Sequence, residues 1–222
     1  MYYDIHTHHP TQNETTISIE NIDLYSHNTL NINNLCSIGL HPWHVNHNWE
    51  IHFPTLISAL KNEKMVAIGE CGLDKLKSNA DFGVQKLVFE QQLLLAQKHQ
   101  KPVIIHCVRA HEEMMAMKRQ LKLDVPLIIH GFNQKLDIGK AFLKAGFYLS
   151  LGTALLRDGS NAKAILRHIP LENILLETDD DAENGIEFVY IKAAHLLNIS
   201  LETFILQLEK NVQRIFQVKL VS

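Results

Sequence analysis

Met65-Val66-Ala67-Ile68-Gly69-Glu70-Cys71-Gly72-Leu73 is followed, one helical stretch later, by Pro102-Val103-Ile104-Ile105-His106-Cys107-Val108. Both are continuous apolar runs rich in Ile, Val and Leu, as expected of parallel strands covered on both faces. Between them, in Asp81–Gln100, the residues Val84, Leu87, Val88, Leu94 and Leu95 fall on one helical stripe. The stretch therefore reads as strand, helix, strand. The same reading extends outward in both directions. Strand-like runs recur at Tyr2–His8, Thr16–Asn21, Leu35–His41, Pro126–Phe132, Phe147–Gly152 and Asn173–Asp179, which makes eight. Helical spacing fills Ala110–Leu121, Gln134–Ala145, Ile186–Asn198 and Leu201–Val218, with Gly146 placed to end the second and Ser200 to cap the last. Eight strands alternating with helices predict a (β/α)8 TIM-type barrel, one domain over residues 1–222. The segments joining the first three strands are too short for a full crossover helix, so those helices are expected to be shortened or missing. An open α/β sheet with fewer strands is the alternative.

Composition narrows the class. Of 222 residues, 46% are apolar and 20% charged, which excludes a disordered chain. No apolar run reaches membrane-helix length, and Met1–Pro10 lacks the layout of a signal peptide. Three scattered cysteines without a CxxC indicate neither a disulfide scaffold nor a thiolate metal site, and a reducing cytoplasm is expected. The net charge of −3 leaves no broad basic surface for long nucleic-acid tracks. A monomer or weak oligomer is expected. The 14 histidines are the unusual feature.

In a barrel, chemistry sits where strands end. The runs end in Asp4-Ile5-His6-Thr7-His8, Gly39-Leu40-His41-Pro42, Gly69-Glu70, Ile105-His106, Ile129-His130 and Glu177-Thr178-Asp179. His6 and His8 alternate onto one face, with Cα atoms roughly 6.6 Å apart. Alone, such a pair is weak. Joined by His106, His130, Glu70 and Asp179 at equivalent heights, it points to metal, because a core would have to satisfy six buried polar groups. An N/O donor set without thiolate suits Zn²⁺, Mn²⁺, Fe²⁺, Co²⁺ or Ni²⁺ more than Cu(I) or Ca²⁺, and two divalent ions, Zn²⁺, Mg²⁺ or Mn²⁺, are expected. Six ligands suffice for two ions, with Glu70, from the middle of the strand order, as the natural bridge. A two-metal site clamps both oxygens of a displacement and supplies hydroxide near neutral pH.

These motifs resemble the TatD family of metal-dependent hydrolases, a branch of the amidohydrolase superfamily. Asp4–His8 is similar to its D-x-H-x-H, Ile38–Pro42 to its G-[IL]-H-P, and Ala67-Ile68-Gly69-Glu70-Cys71-Gly72-Leu73-Asp74 to its AIGEIGLD. Pro102–His106 matches PVIIH, His130-Gly131-Phe132 matches H-x-F, and Leu176-Glu177-Thr178-Asp179 matches LETD. Asn211-Val212-Gln213-Arg214-Ile215-Phe216 resembles the closing N-x-x-R-[LI]-F. The resemblance implies a metal-dependent deoxyribonuclease or phosphodiesterase of 3′–5′ exonuclease type, acting on DNA or nucleotide ends. It implies that His6, His8 and Asp179 bind one metal, that His106 and His130 bind the second, and that Glu70 joins both. Asp179 would also orient or deprotonate the attacking water, and His41 would contact substrate.

Two departures touch the substrate side. After Asp179 the family usually carries Ala-Pro and a loop with Arg-Gly, whereas this chain runs Asp180-Asp181-Ala182-Glu183-Asn184-Gly185. The first crossover is also truncated. Arg109 and His111, just past His106, are candidates to supply missing phosphate contacts. The acidic loop motivates an alternative in which the same metals hydrolyse an amide, ester or lactone. A non-catalytic binding barrel would be expected to lose ligands, and all six are retained. A PHP-type phosphoesterase, which also opens with H-x-H, would want a D-x-H near its end that is absent here. Asp179–Asp181 lacks the closing Glu of an EF-hand, and no serine-hydrolase, P-loop or Rossmann motif occurs. Cys36, Cys71 and Cys107 read as buried thiols, and Met114, Met115 and Met117 as packing. Trp43 reads as packing or as a platform for a base. His9, His27, His44, His47, His52, His99, His168 and His195 follow no strand-end rule.

Overall fold

The computed structural model describes residues 1–11, 14–26, 30–78 and 80–218. His27 lies outside the described residues. The strands are β1 (Tyr2–Thr7), β2 (Thr16–Asp23), β3 (Cys36–Gly39), β4 (Met65–Asp74), β5 (Val103–Val108), β6 (Leu127–Ile129), β7 (Tyr148–Leu151) and β8 (Ile174–Leu176). The helices are α1 (Phe53–Ala59), α2 (Phe82–His99), α3 (His111–Gln120), α4 (Leu136–Lys144), α5 (Asn161–Leu166), α6 (Ile186–Leu197) and α7 (Leu201–Phe216). The strands follow one another in chain order, β1 to β8, and β1–β2, β3–β4, β4–β5, β6–β7 and β7–β8 pair in parallel. An isolated parallel bridge, Thr7 to Asp179, sets the end of β1 beside the residues that follow β8. This is the strand order of a (β/α)8 barrel. All eight expected strands are present, mostly trimmed at their ends because the terminal residues turn into loops. Among the described residues no helix joins β1 to β2 or β2 to β3, as expected.

The chain divides into two compact units, residues 1–20 with 128–222, and residues 21–127. In the first, α6 and α7 are fastened to strands by buried polar groups. The Tyr3 amide donates to the Tyr190 hydroxyl at 3.0 Å, and that hydroxyl donates back to the Tyr3 carbonyl at 3.2 Å. Asn211 Nδ2 donates to the carbonyls of Leu171 and Ile174, at 2.8 and 2.9 Å, where β8 begins. Arg214 donates to the Tyr148 hydroxyl at 2.8 Å, where β7 begins. The closing Asn211–Phe216 motif therefore acts at the N-terminal ends of strands, where a barrel spends residues on stability. Ser200 caps α7 by accepting from the Thr203 amide at 3.1 Å, and Gly146 follows α4 with φ of 76°. Helix α7 ends at Phe216, short of Val218, because Gln217 turns left-handed at φ 54°.

In the second unit, β4 and β5 press together. A Cβ on Gly69 would stand 2.5 Å from the Ile104 carbonyl oxygen, and one on Gly72 would stand 2.0 Å from that of His106. Both glycines also have φ near +145°, at 143° and 149°, a conformation side chains resist. The glycines flanking Glu70 are thus required by strand packing rather than by chemistry. Helix α2 departs from the stripe read from sequence. Leu87 and Leu94 are exposed, while Gln85, Val88, Phe89, Gln92, Leu93, Leu95 and Ala96 are buried. The face is rotated because Gln85 and Gln92 pair with backbone at strand ends. Gln92 Oε1 accepts from the Leu40 amide at 2.8 Å and its Nε2 donates to the Leu40 carbonyl at 3.3 Å. Gln85 makes the equivalent pair with Asp74, at 2.8 and 2.9 Å. The sequence reading assigns no helix to residues 53–59 or 161–166, where α1 and α5 form. Both are too short to show a clear periodicity.

Candidate metal centre

In the first unit, His6, His8, His130 and Asp179 converge. Backbone bonds bring them together: the Asp179 amide donates to the His6 carbonyl at 3.0 Å, and the His8 amide donates to the Asp179 carbonyl at 2.9 Å. Asp4 is buried beside them and accepts from the Thr178 amide at 3.0 Å and the Thr178 hydroxyl at 2.6 Å. The D-x-H-x-H and L-E-T-D motifs are therefore one interlocked structure. Burial pushes the Asp4 carboxyl up to about 7, against the two Thr178 donors. Asp179 Oδ1 lies 3.5 Å from His6 Nε2 and 3.7 Å from His8 Nε2. The His6 and His130 rings are 4.5 Å apart. Ligand atoms of His6, His130 and Asp179 all lie within 4.8 Å of one another. Asp179 and Gly131 have φ of 57° and 55°, turning the chain sharply after β8 and β6.

Glu177, fully buried, stands behind His130. Its Oε1 accepts from the Gly131 amide and lies 3.4 Å from His130 Nδ1. Its Oε2 has no hydrogen-bond partner among the described residues. A cleft of about 740 Å³ opens here, lined by Asn133, Thr153, Arg157, Asp179, Asp180, Asp181 and Glu183 among others. Asp181 builds the loop itself, accepting from the amides of Glu183 and Asn184 at 3.1 and 2.9 Å. Asp180 projects outward toward the exposed His9, at 3.2 Å.

In the second unit, His41, Glu70 and His106 form a second group, again with ligand atoms within 4.8 Å of one another. All three are buried. Glu70 Oε1 lies 3.0 Å from His41 Nε2 and 2.8 Å from His106 Nδ1. His106 Nε2 lies 3.1 Å from Asp74 Oδ2. Asp74 is further held by Trp43 Nε1 at 2.6 Å and by the amides of Leu76 and Lys77 at 2.7 and 3.0 Å. Burial works to raise its pKa, but these donors, Trp43 first, and His106 overrule it and hold the carboxyl below the usual range. Burial likewise holds the His41 imidazole below its ordinary value, against the attraction of Glu70.

The donor chemistry fits a cation. Carboxylates only accept, so His106 faces an acceptor with each nitrogen. Both contacts are satisfied when the pair of carboxyls and the ring share one extra proton, or when a metal takes its place. The buried Glu177 oxygen beside the other histidines fits the same requirement. Five of the six sequence-expected ligands thus fall into two groups, His6, His130 and Asp179 in one and Glu70 and His106 in the other, and His8 stands 3.7 Å from Asp179. Arg109 is exposed at φ 54° after β5, and His111 opens α3; neither belongs to the two groups. Asp74, Glu177 and Asp4 were not singled out by sequence, although all three stand inside the quoted motifs. Lys77 lies over the Trp43 ring, 3.5 Å from its centroid, so one face of that indole is already covered. Cys36, Cys71 and Cys107 are buried free thiols, as expected.

The model of the TatD related DNase family matches residues 10–217. The chain belongs to this family. The 3′–5′ ssDNA/RNA exonuclease TatD of Edwardsiella piscicida is 37% identical over 145 residues, 64% of this chain and 55% of that protein. The uncharacterized metal-dependent hydrolase YjjV of Escherichia coli K12 is 32% identical over 159 residues, 68% of this chain and 60% of that one. The chain thus spans little more than half the length of these curated TatD relatives. The crystal structure of the TatD homologue YjjV superposes with a TM-score of 0.82 at 21% identity, covering 98% of both chains. That likeness carries the fold, and the (β/α)8 class read from strand order agrees with it. The TatD family's divalent-metal chemistry agrees with the donor groups just described. Among the described residues, no single helix is long and apolar enough to cross a membrane.

Proposed function

We propose that this chain is a two-metal phosphodiesterase acting on DNA or nucleotide ends, with His6, His8, Glu70, His106, His130 and Asp179 as metal ligands. The observation that carries the reading is the gathering of histidines and carboxylates from separated motifs into two groups whose ligand atoms lie within 4.8 Å. Divalent ions held there would supply Lewis acidity and a nucleophile at neutral pH. Asp179 takes the proton of the attacking water, a role supported by its part-exposed position between two histidines at the edge of the cleft. Water adds to phosphorus, one P–O ester bond breaks, and the leaving alkoxide takes up the proton and departs as the alcohol. The nuclease names of TatD relatives support the substrate class. Buried free thiols support a cytoplasmic setting, and we read residues 1–222 as one catalytic barrel, monomeric or weakly oligomeric.

The test is hydrolysis of bis(p-nitrophenyl) phosphate and of short single-stranded DNA by metal-stripped protein, with and without Mn²⁺, Mg²⁺ or Zn²⁺. Activity should return with metal. Asp179→Asn should lower kcat by about 10²–10⁴-fold, the usual share of a general base. Full activity in a folded Asp179→Asn protein would remove the mechanism. A second reading, hydrolysis of a carbonyl ester, amide or lactone, is favoured by the carboxylates Asp180, Asp181 and Glu183, which line the cleft, where Arg157 is the one cation among the described residues. Running p-nitrophenyl esters and lactones beside the phosphodiesters separates the two.

A further inference from the structure

We infer that His41 is a positioning residue, donating its Nε2–H to Glu70 and fixing the direction of that carboxylate, rather than touching substrate. The inference rests on the metal-site reading above and deepens it. The Trp43 amide donates to His41 Nδ1 at 3.1 Å. A ring nitrogen that accepts carries no proton, so the one proton of a neutral imidazole sits on Nε2. Nε2 is the atom 3.0 Å from Glu70 Oε1. The tautomer is thus set by a backbone group only two residues away, within the turn that follows β3. With Nδ1 occupied and Nε2 protonated, neither nitrogen offers a lone pair to a metal. That sets His41 apart from His106 in the same group.

Both ends of the pair are anchored to β2. Asn21 Oδ1 accepts from the Glu70 amide at 2.7 Å, and Asp23 Oδ1 accepts from the His41 amide at 3.3 Å. His41 keeps only 6% of its surface and Glu70 3%. A side chain so enclosed has little area for a substrate, but it sits well for holding a ligand in one rotamer. Partners of this kind, standing behind a metal ligand, govern metal affinity more than substrate affinity.

The experiment compares wild type with His41→Leu, which removes the donor, and His41→Gln, whose amide nitrogen reaches the place of Nε2. Mn²⁺ binding to the metal-stripped proteins is measured by calorimetry. KM for bis(p-nitrophenyl) phosphate is measured at saturating Mn²⁺. His41→Leu should lose about 10–100-fold in affinity for at least one ion. Its KM at saturating Mn²⁺ should stay within about twofold, and His41→Gln should recover most of the affinity. Unchanged Mn²⁺ affinity with a raised KM would make His41 a substrate contact and overturn the inference. Loss of one ion outright, without recovery in His41→Gln, would make it a ligand and also overturn it. If His41→Leu fails to fold by circular dichroism, His41→Asn takes its place. Its shorter amide falls short of Glu70, so equal Mn²⁺ affinity in the Asn and Gln variants would overturn the inference. A wild-type protein that binds no Mn²⁺ would remove the metal-site reading itself, a separate outcome.

Discussion

Replacing Asp74 by asparagine swaps an acceptor for a donor where two donors already point. Asp74 Oδ2 lies 2.6 Å from Trp43 Nε1 and 3.1 Å from His106 Nε2. An amide nitrogen there would donate to Nε2 and favour His106 with its proton on Nδ1, the nitrogen that faces Glu70. Metal affinity should fall about 10–100-fold, the usual cost of losing such a partner. Calorimetric titration with Mn²⁺ checks this, and unchanged affinity would refute the part given to Asp74 in holding His106. At this scale the sequence was partly legible. His6, His8, His106 and His130 stand out because each closes an apolar run. Asp74 and Glu177 stand in the same motifs, yet spacing cannot separate a ligand from the residue that aims it. The distinction depends on which ring nitrogen each carboxylate meets, and only coordinates supply that.

Helix α2 carries the clearest lesson about elements. Leu87 and Leu94 look like core and are 48% and 42% exposed, while Gln85 and Gln92 look like surface and are 2% and 1% exposed. The glutamines replace strand partners for the backbone at Asp74 and Leu40, where the chain leaves β4 and β3. Hydrophobic periodicity scores side-chain type and cannot register that a polar group will find a buried peptide. Gln92→Leu should therefore destabilise, despite adding an apolar residue to a buried face. It leaves the Leu40 amide and carbonyl without their partner, at about 1–3 kcal/mol. Leu87→Glu should stay within about 0.5 kcal/mol of wild type. Urea unfolding followed by circular dichroism measures both through the midpoint, provided the slope is unchanged. A neutral Gln92→Leu would mean that these backbone groups find other partners.

Across the whole chain, the eight strands were legible because most are self-contained apolar runs, and their order follows chain order. The helices were less legible, since α1 and α5 span too few turns to advertise a face. The candidate ligands stand at or just past strand ends, Glu70 within β4 excepted, so the fold and the donor set support one reading. In that reading metal and stability are linked. There His130 and Asp179 in one group, and Glu70 and His106 in the other, bring ligand atoms close enough together to share a cation. An ion that binds the folded chain and not the unfolded one adds about 2.7 kcal/mol when present at 100 times its Kd. For a chain of this length that is roughly 5–10 °C in Tm. Metal-stripped protein should therefore melt several degrees below protein in excess Mn²⁺, and the gain should shrink when Glu70→Gln or His130→Gln removes a ligand. Scanning calorimetry with parallel metal analysis makes the measurement. Equal melting temperatures with and without Mn²⁺, while metal analysis finds no ion retained, would show that these donors are satisfied by the protein itself.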